Sequence, residues 1–330
     1  MNKIISLLAL FAPIIGVAHA SVEENLNFSG DIRAKYSAYN YKTGNYSLSD
    51  DYSKVEIRGK MDYEEDKIFA KAEVKLEVAN KKDNEKTSLS IERAMFGYFF
   101  DEDLFAFVGR IAFDDVFKSK IQYGSKFNGI SLNGACENIP FTKKVTLKGG
   151  PFFVSQGEDN FGLLSEVNLV SSSLPLEMSY SLTWWNHQTT TYQLVEKFLI
   201  SQVAASYSLS NIIADHDMEF FTGFLSNHGC SHSNKGWYVG SKLGQRKPIL
   251  PNQWNVSFTY QNVEPNSIPQ HDLNGAGKNI SSKGFVLESV YVLNDNLSFK
   301  IKAENSKSTK LTGFNTITMK GLELTAICKF

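Results

Sequence analysis

Lys320-Gly321-Leu322-Glu323-Leu324-Thr325-Ala326-Ile327-Cys328-Lys329-Phe330 closes the chain. Leu322, Leu324, Ala326, Cys328 and Phe330 share one parity, and Gly321, Glu323, Thr325, Ile327 and Lys329 share the other. Period two is the side-chain repeat of a β-strand. A strand ending on an aromatic residue, with no tail, would leave an open sheet edge. Pairing it with the first strand removes that edge and closes a barrel. With the apolar parity turned to lipid, Phe330 falls where aromatic girdles of membrane barrels lie.

The same alternation recurs upstream. In 68–78, Ile68, Ala70, Ala72, Val74, Leu76 and Val78 oppose Phe69, Lys71, Glu73, Lys75 and Glu77. Both charge signs occupy the polar parity, which suits the wall of a water-filled lumen. Reading outward from these two segments predicts strands over 26–38, 53–61, 68–78, 88–100, 104–112, 126–134, 144–154 and 161–170. Eight more follow over 175–185, 198–209, 215–225, 235–242, 253–262, 284–293, 297–304 and 319–330. Within 88–100 the apolar parity switches, so a bulge is expected near Arg93. No sustained helical period appears. The expected fold is all-β, a transmembrane antiparallel β-barrel of about 16 strands with short turns at one end and longer loops at the other. Trp184, Trp185 and Trp254 mark membrane interfaces, where amphipathic rings collect.

The start of the chain reads as a leader. Met1-Asn2-Lys3, a short apolar run and Ala18-His19-Ala20 are expected to form a signal peptide over 1–20, leaving 21–330 as one exported barrel domain. No later run reaches the roughly 20 apolar residues of a membrane helix. The formal net charge of −1 offers no basic excess for nucleic acid. Cys136, Cys230 and Cys328 are too few for a disulfide framework, and the topology puts Cys136 and Cys230 at opposite ends.

The expected inward set is Arg33, Lys35, Lys54, Arg58, Lys60, Lys71, Lys75 and Arg110 against Asp31, Glu56, Glu73 and Glu77. The slight basic excess predicts a weak preference for anionic solutes. Arg93 and Arg110 would face the connection 113–125, whose Asp114, Asp115, Lys118 and Lys120 could set the field of a constriction. No cofactor is expected, because there is no HExxH, Gly-x-Ser-x-Gly or P-loop segment. His228, Cys230 and His232, with His187 upstream, could hold a soft metal but read more simply as a polar loop, and His216 lacks catalytic partners. The competing architecture is an exported β-sandwich, a binding protein or adhesin without channel activity, whose apolar faces would point inward.

The closing strand resembles that of Gram-negative outer-membrane β-barrel proteins, which end in Phe and are recognised there by the outer-membrane assembly machinery. Gly109-Arg110-Ile111 with Phe113, followed by Gln122-Tyr123-Gly124-Ser125-Lys126-Phe127-Asn128-Gly129-Ile130, resembles a segment of phosphate- or carbohydrate-selective porins. The placement of 113–125 as third long outer connection is similar to the loop that narrows general porins. These resemblances imply an outer-membrane porin, a passive channel for small hydrophilic solutes. They also imply a homotrimer surrounded by outer-membrane lipids and lipopolysaccharide.

Overall fold

A computed structural model of the chain describes residues 25–81, 84–112, 117, 119, 126–137, 139–153, 161–186, 197–213, 216–269, 282–308 and 316–330. The expected leader, Asp114, Asp115, Lys118, Lys120 and His187 lie outside the described residues.

The described residues form sixteen strands: β1 (Leu26–Thr43), β2 (Tyr46–Glu65), β3 (Ile68–Lys81), β4 (Asn84–Phe99), β5 (Leu104–Ala112), β6 (Lys126–Glu137), β7 (Thr142–Phe153) and β8 (Phe161–Ser171). The second half comprises β9 (Leu176–Asn186), β10 (Lys197–Ile213), β11 (His216–Asn227), β12 (Lys235–Gly244), β13 (Trp254–Val263), β14 (Ser282–Val292), β15 (Leu297–Ser308) and β16 (Ile317–Lys329). Every strand pairs antiparallel with its sequence neighbours, and β16 pairs with β1 to close the barrel.

The closing seam follows from its residues. Arg33 faces Ile327, Lys35 faces Thr325 and Tyr36 faces Leu324 across it. Gly30 and Phe330 exchange two backbone hydrogen bonds, at 2.9 and 3.1 Å. The Phe330 ring lies over Gly30, where a Cβ would come within 2.5 Å of Cζ. A glycine at this position lets the terminal ring cover bare backbone beside the lipid-facing wall.

On β1–β3 and β13–β16 the apolar parity points outward. Val256, Ile301 and Leu324 are 37, 49 and 41 % exposed. Their opposite-parity neighbours Asn255 and Thr325 are buried. A sandwich would reverse this, so the single closed sheet excludes the β-sandwich alternative. The expected bulge is present: Glu73 pairs with Arg93 but Val74 pairs with Ile91, leaving Glu92 as the extra residue. That insertion lets both Ile91 and Ala94 lie on the outer parity.

Two boundaries differ from expectation. The connection expected over 39–50 is strand, because β1 and β2 run on to a two-residue turn at Gly44-Asn45, with Gly44 at φ 55°. Likewise, the connection expected over 79–87 is mostly strand, with β3 reaching Lys81 and β4 starting at Asn84. Outside the bilayer a strand needs no apolar outward residues, so Asn40, Lys42, Ser47 and Ser49 concealed it.

Candidate pore lining and constriction

The inner wall divides into two unlike halves. From β14 through β1 to β4 it is a ladder of charges. Arg33 binds Asp31 at 2.5 Å, and Lys60 binds the same carboxylate at 3.2 Å. Lys35 meets Glu323 at 2.6 Å across the closing seam. Lys54 bridges Glu56 and Glu77 at 2.6 and 3.1 Å, and Arg58 bridges Glu56 and Glu73 at 2.7 and 3.2 Å. Lys75 spans Glu77 and Glu92 at 3.3 and 3.5 Å, and Lys71 meets Asp62 at 3.4 Å. On the far side of the seam, Lys300 binds Glu288 at 2.7 Å and Lys302 binds Glu304 at 3.2 Å. Period-two strands place like parities on one face, so residues two apart and their cross-strand neighbours meet in the lumen.

From β5 to β13 the inner wall is different. Ser131, Asn133, Glu166, Asn168, Ser179, Ser181, Thr183 and Gln202 are buried and polar. Among them sits an apolar cluster that includes Phe107, Ile111, Phe127, Phe152, Leu164, Trp185, Phe198 and Phe221. Phe117, from the β5–β6 connection, is buried in this cluster. Ser119 Oγ donates a 2.9 Å hydrogen bond to Gln202 Oε1 on β10. That connection therefore reaches the inner wall of β10 through Ser119, five strands from where β5 ends, with Phe117 in the inner cluster. Below them, a cavity of about 550 Å³ is lined by Phe117, Ser119, Asn168, Glu177, Ser179, Glu219 and Lys242.

Of the residues singled out by sequence, Arg33, Arg58, Lys71, Lys75 and Arg93 carry the inward parity, with Arg93 opposite Glu73. Arg110 does not. It pairs with Ala94 and Asn128, in the parity of Val108 and Ile130, both about half exposed. Its Nε donates to the Ile91 carbonyl at 2.9 Å. The expectation of a lumenal Arg110 is corrected: Phe105, Phe107 and Ile111 are apolar yet face inward to pack the inner cluster, which reverses the parity inferred for β5.

Trp184 and Trp254 lie on the outer face, Trp184 against Phe161 at 5.8 Å and Trp254 against His216 at 4.6 Å. Trp185 is corrected in the same way as Arg110. It is fully buried inside the barrel, edge-on to Phe152 at 5.1 Å, and marks no interface. Cys136, Cys230 and Cys328 are free thiols. His228 Nε2 pairs with Ser201 Oγ at 2.7 Å and His232 Nδ1 with Ser231 Oγ at 2.6 Å, so the two rings serve separate hydroxyls.

Sequence reasoning left Asp62, Glu92, Glu288, Lys300, Lys302, Glu304 and Glu323 out of the lining. The parity of 297–304 already held Lys300, Lys302 and Glu304. Glu92 was hidden by the bulge. Nothing in sequence marks Phe117, Ser119 or Gln202.

No family model matches the chain, and no curated protein matches it. Solved structures do. The chain is similar to Pseudomonas putida OprB in a high-pH structure, with 11 % identity, TM-score 0.64 and 97 % of each chain covered. It is similar to Pseudomonas aeruginosa OccK2 (OpdF) in complex with glucuronate, with 9 % identity and TM-score 0.52, over 92 % of this chain and 98 % of that one. A mutant of the Rh. blastica porin gives 13 % identity and TM-score 0.52, over 92 % and 100 %. These solved structures share the closed antiparallel barrel fold of this chain.

Proposed function

We propose that this barrel is a passive diffusion channel for small hydrophilic solutes. The observation that carries the reading is the closed sixteen-strand wall with apolar side chains outside and a paired charge ladder inside. At that strand number a barrel encloses an aqueous channel. The solute path runs along the β14–β4 ladder, because the opposite half carries the inner apolar cluster and the Phe117 and Ser119 contacts. Asp114, Asp115, Lys118 and Lys120 flank the two anchored residues in sequence, and we propose that their charges contribute to the field of a constriction.

Near-complete pairing of cations with carboxylates keeps selectivity weak. We assign a slight anion preference, and the glucuronate bound in OccK2, a barrel of like fold, supports an anionic sugar as one admissible solute class. The mature chain begins after the 1–20 leader, with both termini and the short turns on the periplasmic side. Assembly as a homotrimer among lipopolysaccharide and phospholipid, after recognition of the Phe330 end by the assembly machinery, completes the proposal.

The test is single-channel recording of the refolded barrel in planar bilayers under a potassium chloride gradient. Discrete open levels with a small anion-selective reversal potential are expected. A silent bilayer, with protein that still shows the gel shift of a folded barrel, overturns the channel reading.

A further inference from the structure

The short-turn end of the barrel has two unlike arcs. Turns β2–β3 and β4–β5 expose Glu64, Glu65 and Asp66 with one lysine, Lys67, then Asp101, Glu102 and Asp103, a net acidic arc. From β6 to β13 the same end instead exposes large apolar side chains on three turns and at the end of β10. Phe141 is 89 % exposed and holds φ 66°, a left-handed conformation that a bulky residue adopts only at a cost. Leu174 and Leu250 on the β8–β9 and β12–β13 connections, and Ile212 at the end of β10, are each about half exposed or more. The arc is tied together: Ser172 donates to the Phe141 carbonyl at 3.4 Å and Ser208 to the Pro175 carbonyl at 2.9 Å. Exposed Lys143 lies two residues from Phe141, and exposed Lys247, three residues from Leu250, also borders the inner cavity. The acids near them are engaged, Glu137 by Lys144 at 3.2 Å, Glu177 by Arg246 at 3.2 Å, and Asp217 by the Asn211 amide at 3.3 Å.

We propose that the β6–β13 arc of this rim is a phospholipid-binding surface, inserted into the headgroup boundary of the periplasmic leaflet, while the acidic β2–β5 arc stays in water. The inference rests on the membrane-barrel reading and adds to it a depth and a direction of seating. Two features identify lipid as the occupant. The apolar tips continue the lipid-facing wall without a break, through Leu169, Met178 and Tyr207, all exposed on the outer parity. The lysines complement anionic headgroups, the arrangement by which basic side chains snorkel at a membrane interface. Four separate tips spaced around a barrel rim also suit a fluid surface better than one contiguous protein face. Acidic side chains on the opposite arc would be repelled by the same headgroups.

The experiment is fluorescence of F141W and E102W variants, each confirmed as folded by gel shift and reconstituted with phospholipids brominated near the headgroup. Native Trp184 and Trp237, on the outer wall, are the internal control for membrane insertion. Subtracting wild-type emission, the Phe141→Trp signal should fall about twofold in brominated lipid while the Glu102→Trp signal is unchanged. Bromination of the anionic lipid alone should quench Phe141→Trp more than bromination of the zwitterionic lipid alone, and Lys143→Gln with Lys247→Gln should erase that difference. Quenched native tryptophans with an unquenched Phe141→Trp overturn the lipid-binding arc and leave the membrane barrel standing. Equal quenching at both variants overturns the two-arc reading. Unquenched native tryptophans overturn the barrel's membrane placement itself, and the arc with it.

Discussion

Lys54→Glu should turn the channel toward cations by an amount the ladder geometry fixes. Lys54 Nζ sits 2.6 Å from Glu56 and 3.1 Å from Glu77, and Lys54 pairs with Lys35 across β1–β2. The substitution changes the local charge by two units. An ion passing about 6 Å away feels roughly 0.7 kcal/mol per unit charge in water before screening. At 0.1 M salt, with a Debye length of about 10 Å, roughly 0.4 kcal/mol per charge survives. Two charges then give about 0.8 kcal/mol for a passing cation and the opposite for an anion, so the partition of each ion into the pore changes nearly fourfold, in opposite directions. At 1 M salt the Debye length of about 3 Å cuts the change to roughly 1.4-fold. Lys54→Gln should produce about half the free-energy change, near twofold at low salt. Reversal potentials measured at both salt levels test the series. No shift at low salt with unchanged conductance would remove Lys54 from the solute path. A shift of the same size at both salts would show a structural rearrangement in place of a screened field.

Three further outcomes are expected. Gly30→Val places a Cβ within 2.5 Å of the Phe330 ring and 2.6 Å of the Arg58 carbonyl oxygen, so it should cost about 1–3 kcal/mol and lower the folded fraction on heat-modifiable gels; wild-type yield would show that the seam tolerates a side chain there. Phe117→Ala removes a buried anchor in the lumen, a loss of roughly 3–5 kcal/mol of local packing, and should raise single-channel conductance or its open-level noise; an unaltered trace would mean that this connection does not narrow the path. Arg110→Glu should leave the reversal potential where it was, because the side chain lies on the outer parity; a shift approaching that of Lys54→Glu would place Arg110 in the pore.

Sequence reading reached the fold because a membrane barrel writes two solvents into one strand. In β16, Leu322, Leu324, Ala326 and Cys328 had to be outward residues, with Glu323 and Thr325 inward and Ile327 the one apolar residue among them. Lipid enforces the first and water the second, so periodicity alone carried the strand count and the closure. The reading failed where one of the two solvents was missing. The projecting ends of β1 and β2 have water on both sides, and their outward Asn40, Lys42, Ser47 and Ser49 carry no lipid signal. A two-residue turn at Gly44-Asn45 is the one local sign of the hairpin that the composition hid.

The lining was misjudged for the converse reason. On β5 and β9 apolar residues occupy both parities, since Phe107 and Trp185 pack inside while Val108 and Trp184 meet lipid. Period two then states that faces alternate without stating which face is which. Only a neighbour resolves it: Val108 lies beside Ile130, whose strand partners Ser131 and Asn133 are buried and polar, and this assigns the parity of β5. The inner cluster is thus both what obscured Arg110 and what seats Phe117 in the lumen. A channel that built a constriction on a dry patch of its own wall would give up the clean alternation there. The strands with the least legible parity are for that reason the place to look for the anchor of the constriction.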